Sequence, residues 1–169
     1  MKLKFFFLIT FFFLMFNSFA QQNTAWTNWS WLMGEWKGEG SGQPGNGGGT
    51  FSFQSDLDGK ILVRKSHSEY PAQGNRSATI HDDLMIVSLD YTGNPTKASY
   101  FDNEGHTISY SITYALNTVV LLSDKIPNVP TFRLTYTLLD KQTVNTKFEM
   151  SQDGEIFMTY IEGKSSKLK

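Results

Sequence analysis

The 169-residue sequence contains no cysteine, five prolines and an almost balanced set of charges. Without cysteine the chain forms no disulfide, no thiolate nucleophile, no Cys-ligated zinc site and no iron–sulfur cluster. The sequence has 15 Lys and Arg residues and 16 Asp and Glu residues, so the formal net charge is -1. A chain without excess positive charge lacks the field by which proteins grip nucleic acid or an anionic membrane surface. We therefore expect no nucleic-acid partner.

Long apolar runs are confined to the N-terminus. A short basic start, Met1–Lys4, precedes the run FFFLITFFFLMF, and Ser18 and Ala20 place small residues at the −3 and −1 positions of a cut after Ala20. This pattern is typical of a secretory signal peptide, and no later run approaches the ~20 apolar residues of a spanning helix. We predict a cleaved signal peptide over residues 1–20 and a single secreted or periplasmic domain over residues 21–169, without a membrane span.

Three of the four Trp residues lie just after the predicted cleavage site. Trp26, Trp29 and Met33 recur at spacings of three and four, which predicts a short N-terminal helix with one apolar side. An aromatic plug in the core is the simpler interpretation of these rings. Exposed rings would instead suit stacking on a carbohydrate or docking to a protein partner.

From Glu35 onward, apolar and polar residues alternate with a period of two between recurrent turn signals. This pattern predicts an all-β chain of about 9–10 strands linked mostly by short turns. An up-and-down antiparallel barrel is the economical arrangement because closure leaves no exposed sheet edge, and a two-sheet sandwich is the alternative. Two segments break the alternation, the Gly-rich residues 38–49 and the longer residues 66–83, and both are interpreted as loops.

Three segments, residues 56–60, 102–106 and 151–155, share a turn pattern with Gly at the fourth position. Each predicts a type I turn that ends in a left-handed Gly bulge and pairs its first residue with its last. The resulting registers set Phe53 opposite Val63, Tyr100 opposite Ile108, and Met150 opposite Ile156. All three registers gather apolar side chains on one face of the hairpin.

The segment LMGEWKGEG, Leu32–Gly40, opens the first strand with a Gly-x-Trp motif. This motif resembles the signature of the lipocalin and calycin superfamily, in which the Trp closes the barrel floor beneath a short N-terminal helix. The longer segment is similar to the opening of nitrobindin-like haem-binding barrels and of a related family of exported bacterial proteins of unknown function. Likeness to the latter extends along most of residues 31–164. The resemblance implies a ten-strand calycin-like barrel and brings no established activity.

An inward face rich in aromatic rings suits a small, largely apolar or amphipathic ligand with one polar end. We predict that such a ligand occupies the barrel interior, although the same side chains would also serve to fill it. The predicted ligand-binding residues are Trp36, Phe51, Phe53, Lys65, His67, His81, Tyr100, Tyr110, Tyr114, Phe148, Met158 and Tyr160.

Residues with catalytic potential are sparse. The three His residues are too widely spaced for a local metal motif, and no Gly-x-Ser-x-Gly elbow is present, so we assign no catalytic residue, metal ligand or cofactor. One alternative is a hydrolase or isomerase in which His67 and His81 meet at the barrel mouth as acid and base. Another is haem binding, which the nitrobindin resemblance raises. The family's axial His near the C-terminus has no counterpart within Ile156–Glu162.

Cleavage after Ala20 can be checked directly. Expression of the full chain in a bacterial host should yield a protein that begins at Gln21 by intact-mass spectrometry, because signal peptidase requires small side chains at −1 and −3. Replacing Ala20 by Leu should leave the precursor uncut, whereas the matched change Asn17→Leu should not. An exported product that retains Met1 would contradict the prediction.

Overall fold

A computed structural model describes residues 24–40, 48–72, 74–75 and 77–168, so the predicted signal peptide lies outside the described residues. A short 3₁₀ helix, Thr24–Trp29, precedes the strands. The strands are β1 (Gly34–Gly38), β2 (Thr50–Asp56), β3 (Ile61–Tyr70), β4 (Thr79–Leu89), β5 (Pro95–Asp102), β6 (Thr107–Ala115), β7 (Thr118–Ser123), β8 (Thr131–Asp140), β9 (Thr143–Ser151) and β10 (Met158–Lys167).

The ten strands form one closed barrel in which every strand is antiparallel to its neighbours in the chain, and β1 pairs with β10. The predicted up-and-down barrel is confirmed, and the sandwich alternative is wrong. The interruption predicted over residues 66–83 is also wrong at both of its ends, since β3 continues to Tyr70 and β4 begins at Thr79. Among the described residues, no helix has the length and apolar character needed to cross a membrane.

The hairpin of β5 and β6 has the predicted register. Tyr100 lies opposite Ile108 and Ala98 opposite Tyr110. In the turn between them the Gly105 amide donates a hydrogen bond to the Asp102 carbonyl, and Gly105 takes the left-handed conformation with φ 91°. This is the bulged turn that the sequence predicts.

The hairpin of β2 and β3 is offset by one residue from the prediction. Leu57 and Asp58 both take positive φ angles, 48° and 54°, and the turn holds one residue more than expected. Phe53 therefore lies opposite Arg64 rather than Val63. Because side chains alternate along a strand, this single step exchanges the inner and outer faces of β3.

The third predicted register is also wrong. β10 begins only at Met158, which lies opposite Met150, so residues 152–157 form a longer connection. Asp153 organises it by accepting hydrogen bonds from the amides of Glu155 and Ile156. These bonds lower the pKa of Asp153 to about 2.

The N-terminal helix closes one end of the barrel, which we call the closed end; the opposite end is the mouth. The ring of Trp29 is fully buried, lies 5.6 Å from the ring of Phe53, and donates its indole N–H to the Tyr114 hydroxyl at 2.8 Å. The indoles of Trp26 and Trp36 donate to backbone carbonyls, also at 2.8 Å. With their N–H groups satisfied, these rings pack in the core at no polar cost, as the plug interpretation predicts.

Trp29 is the test of the plug. Trp29→Ala should lower the free energy of unfolding by about 3–5 kcal/mol, the range for large aromatic truncations in cores, in urea denaturation followed by circular dichroism. The control Tyr91→Ala changes a fully exposed ring and should stay within about 0.5 kcal/mol. Equal stability of the two variants would contradict a packed plug.

Candidate functional site

The interior of the barrel holds a buried ion pair between two neighbouring strands. Arg64 of β3 and Asp83 of β4 join through Nη1 and Oδ1, and their side chains are only 9% and 7% exposed. The guanidinium also lies 5.6 Å from the centre of the Phe51 ring. Two charges with so little exposure to solvent are tolerated because each neutralises the other.

Three tyrosines surround this pair and complete what we call the interior polar cluster: Arg64, Asp83, Tyr100, Tyr110 and Tyr136. Burial raises the pKa of all three hydroxyls, that of Tyr136 to about 12, although the nearby guanidinium opposes the shift. The hydroxyls therefore remain protonated at neutral pH and can donate hydrogen bonds.

Some hydrogen-bonding capacity of this region is unused. Among the described residues, three buried side-chain atoms have no hydrogen-bond partner: Arg64 Nε, the Tyr136 hydroxyl and Thr146 Oγ1. The Tyr136 hydroxyl lies near the guanidinium without a hydrogen bond of good geometry between them. Tyr136 and Thr146 lie directly opposite each other on β8 and β9, so their side chains share the interior face.

His81 connects the cluster to the mouth. Its Nε2 lies 3.1 Å from the Tyr100 hydroxyl, and its Nδ1 lies 3.1 Å from a Glu104 carboxylate oxygen. Tyr100 in turn donates to Asp102 at 3.2 Å. Burial opposes ionisation of Asp102, but hydrogen bonds from the backbone and ring of His106 outweigh it and lower the Asp102 pKa.

The mouth presents apolar side chains that are only partly buried. The rings of Phe132 and Phe148 stack at 5.7 Å, and Tyr160 meets Phe148 edge-on at 6.2 Å. At the rim, Tyr160 is 59% exposed and Met158 is 61% exposed. The described side chains of the mouth thus form an apolar wall of Phe132, Phe148, Met158 and Tyr160.

Most of the residues predicted from the sequence lie on the interior face. The predicted residues that face the interior are Trp36, Phe51, Phe53, His81, Tyr100, Tyr110, Tyr114 and Phe148. Met158 and Tyr160 belong to the rim rather than to the interior lining. Whether any of them contacts a ligand stays a prediction.

Lys65 and His67 are on the wrong side of the sheet for the predicted site. The longer first turn sends Arg64 inward and these two residues outward, where they line an outer groove of about 780 Å³. His67 Nδ1 lies 2.6 Å from Asp82 and Nε2 lies 3.2 Å from Glu69. These hydrogen bonds raise the pKa of His67.

The proposed acid–base pair of His67 and His81 is not formed. His81 lies opposite Ser68 in the ladder of β3 and β4, so His67 and His81 occupy opposite faces of the sheet,. The hydrolase or isomerase alternative loses the geometry on which it depended. No group of three or more potential ligands in the described ranges could hold a metal ion.

The described residues do not fit a haem. The only His of the described chain that faces the interior is His81, and both of its ring nitrogens face other side chains of the mouth. Met158 and Tyr160, the remaining candidates for an axial ligand, sit exposed at the rim.

Sequence reasoning missed the centre of the site. Arg64, Asp83, Tyr136 and Thr146 are absent from the predicted set; for Arg64 the reason is the predicted register of β2 with β3, which places it outside. The signal that could have found it is the alternation of β3, where Leu62 and Arg64 share one face while Lys65 and His67 share the other,.

Fold and site together define a class of protein: a closed ten-stranded antiparallel barrel, plugged by aromatics at one end and carrying a polar cluster inside. The crystal structure of Rv2717c from M. tuberculosis has a similar fold, with a TM-score of 0.58 and 12% sequence identity, over 86% of this chain and 98% of that chain. At this identity the likeness concerns the fold alone. No protein-family model matches the sequence, and the search of curated proteins gave no match.

The ion pair can be tested by breaking and then replacing it. Arg64→Met leaves a buried carboxylate unpaired and should lower the free energy of unfolding by about 3–5 kcal/mol, measured in urea. The double variant R64M/D83L should recover most of this loss, because neither charge then has to lose its water.

Lys97→Met provides the matched control. Its ammonium forms an exposed pair with Asp124 at 3.6 Å, and losing such a pair costs at most about 1 kcal/mol. A double variant no more stable than R64M would show that the pair is not an isolated electrostatic unit.

Proposed function

We propose that this protein is an exported, lipocalin-like barrel that binds a small, largely apolar ligand in the mouth half of its interior. The observation that carries the proposal is the partly exposed aromatic wall at the mouth, which shares the interior face of β8 and β9 with buried polar atoms that have no partner. Binding sites for small molecules combine these two features: apolar walls for affinity and a few polar groups for orientation.

The dimensions of the barrel support an interior site. A sheet of eight strands closes on an interior just wide enough for its side chains or one small ligand, and this barrel has ten. The plug fills the closed end with Trp29, Trp36 and Phe53, all fully buried. Toward the mouth the interior face is less completely covered, since Phe132 and Phe148 are only partly buried.

Export is part of the same proposal. It is supported by the signal-peptide pattern of residues 1–20 and by the absence of cysteine, which frees folding from the redox state of the compartment,. An exported binding protein needs no catalytic group, and the separation of His67 from His81 fits that role.

The experiment is a titration of the mature protein with Nile red, an uncharged dye whose fluorescence rises in apolar surroundings. Ile108→Trp adds a bulky ring to the interior face near the mouth and should weaken dye binding by about tenfold or more, which corresponds to about 1.4 kcal/mol. Ser109→Trp adds the same ring to the exposed outer face of the same strand and should leave binding unchanged.

Circular dichroism establishes that both variants keep the fold. If Ile108→Trp and Ser109→Trp bind the dye as the parent protein does, the ligand site is not in the barrel and the proposal fails.

A further inference from the structure

The three unpartnered atoms of the interior have a common chemistry. Arg64 Nε–H can only donate, and the hydroxyls of Tyr136 and Thr146 are both able to donate. As whole residues, Arg64 and Tyr136 are 8% and 0% exposed, so bulk water does not satisfy these atoms. A buried donor without an acceptor is costly, and a molecule that brings an acceptor to this place removes that cost.

These donors come from separate parts of the barrel wall. Arg64 is on β3, whereas Tyr136 and Thr146 are neighbours on β8 and β9. The charge of Arg64 acts on Tyr136, so the side chains approach each other inside the barrel. Tyr136 is thus the donor with both others as neighbours, since it lies opposite Thr146 in the strand ladder and near the guanidinium of Arg64.

Charge decides what kind of acceptor fits. Within the described interior polar cluster the one cation, Arg64, is already neutralised by Asp83, and the neighbouring Asp102 adds a second carboxylate whose side chain is 4% exposed. An anionic head would meet these carboxylates without a free cation to compensate, and burying such a charge is expensive. A cationic head such as an ammonium group can only donate, so it would leave the three donors without an acceptor.

We infer that this site takes an uncharged hydrogen-bond acceptor, such as the carbonyl of a ketone, ester or amide, carried on an aromatic or otherwise apolar body. The inference rests on the proposed function and adds the chemical class of the ligand to it. The head meets Arg64, Tyr136 and Thr146, while the body lies against the rings of Phe132 and Phe148.

The test uses three probes of nearly equal shape at neutral pH: acetophenone, which has a carbonyl; ethylbenzene, which has no acceptor; and benzoate, which is anionic. Dissociation constants for the mature protein are measured by chemical-shift titration. Acetophenone should bind about tenfold more tightly than either of the other probes, as a donor set left unpaired penalises a ligand without the acceptor.

Two variants remove donors without breaking existing bonds. Tyr136→Phe and Thr146→Val each delete a hydroxyl that has no partner, so the thermal midpoint should stay the same or rise. Each should weaken acetophenone binding by about threefold to tenfold and leave ethylbenzene binding unchanged. The matched controls are Tyr91→Phe and Thr113→Val, both at exposed positions, and they should change neither.

The outcomes separate the inference from the proposed function. Equal binding of acetophenone and ethylbenzene, or tightest binding of benzoate, overturns the inference while the barrel remains a ligand-binding protein. If Tyr136→Phe and Thr146→Val bind acetophenone as tightly as the parent protein does, the inference is overturned as well, since trapped water would then satisfy the donors. If none of the probes binds but Nile red does, the inference fails alone; if Nile red also fails, both fail.

Discussion

Filling the interior is the constraint on which this structure depends. Ten strands in a closed sheet enclose more space than eight strands, at which inward side chains just meet. The chain meets this requirement at one end with large rings, of which Trp29, Trp36 and Phe53 are fully buried. The indole of Trp29 donates a hydrogen bond to the Tyr114 hydroxyl on β6. The N-terminal helix is therefore bonded to a strand of the barrel as well as packed in its closed end.

Above this floor the interior changes character. Arg64 and Asp83 replace apolar packing with a charge pair, and the tyrosines around them keep their protons. A buried pair of this kind contributes little net stability compared with apolar side chains of the same volume. Because the two charges neutralise each other, the pair adds no net charge to the interior.

The architecture could be predicted from the sequence, whereas the polar part of the site could not. Period-two alternation and the turn at Gly105 carry local information, so the strand number and the register of β5 with β6 agree with the structure. The first turn depends on positive φ angles at both Leu57 and Asp58. Two consecutive positive φ angles cannot be predicted from these residue types. Because the turn holds one residue more than predicted, Arg64 points inward, whereas Lys65 and His67, which were predicted to face the interior, point outward.

The seam between β1 and β10 has a consequence for how the chain reaches this state. Every other ladder joins consecutive strands, but Trp36 pairs with Lys167 across nearly the whole domain. Contacts of such high contact order form slowly, and this one requires that synthesis has passed β10. Until then the nascent sheet has two free edges, β1 on one side and the latest strand on the other, and free edges are where incomplete chains associate with each other. Pairing of β1 with β10 is thus the step that removes both free edges of the sheet.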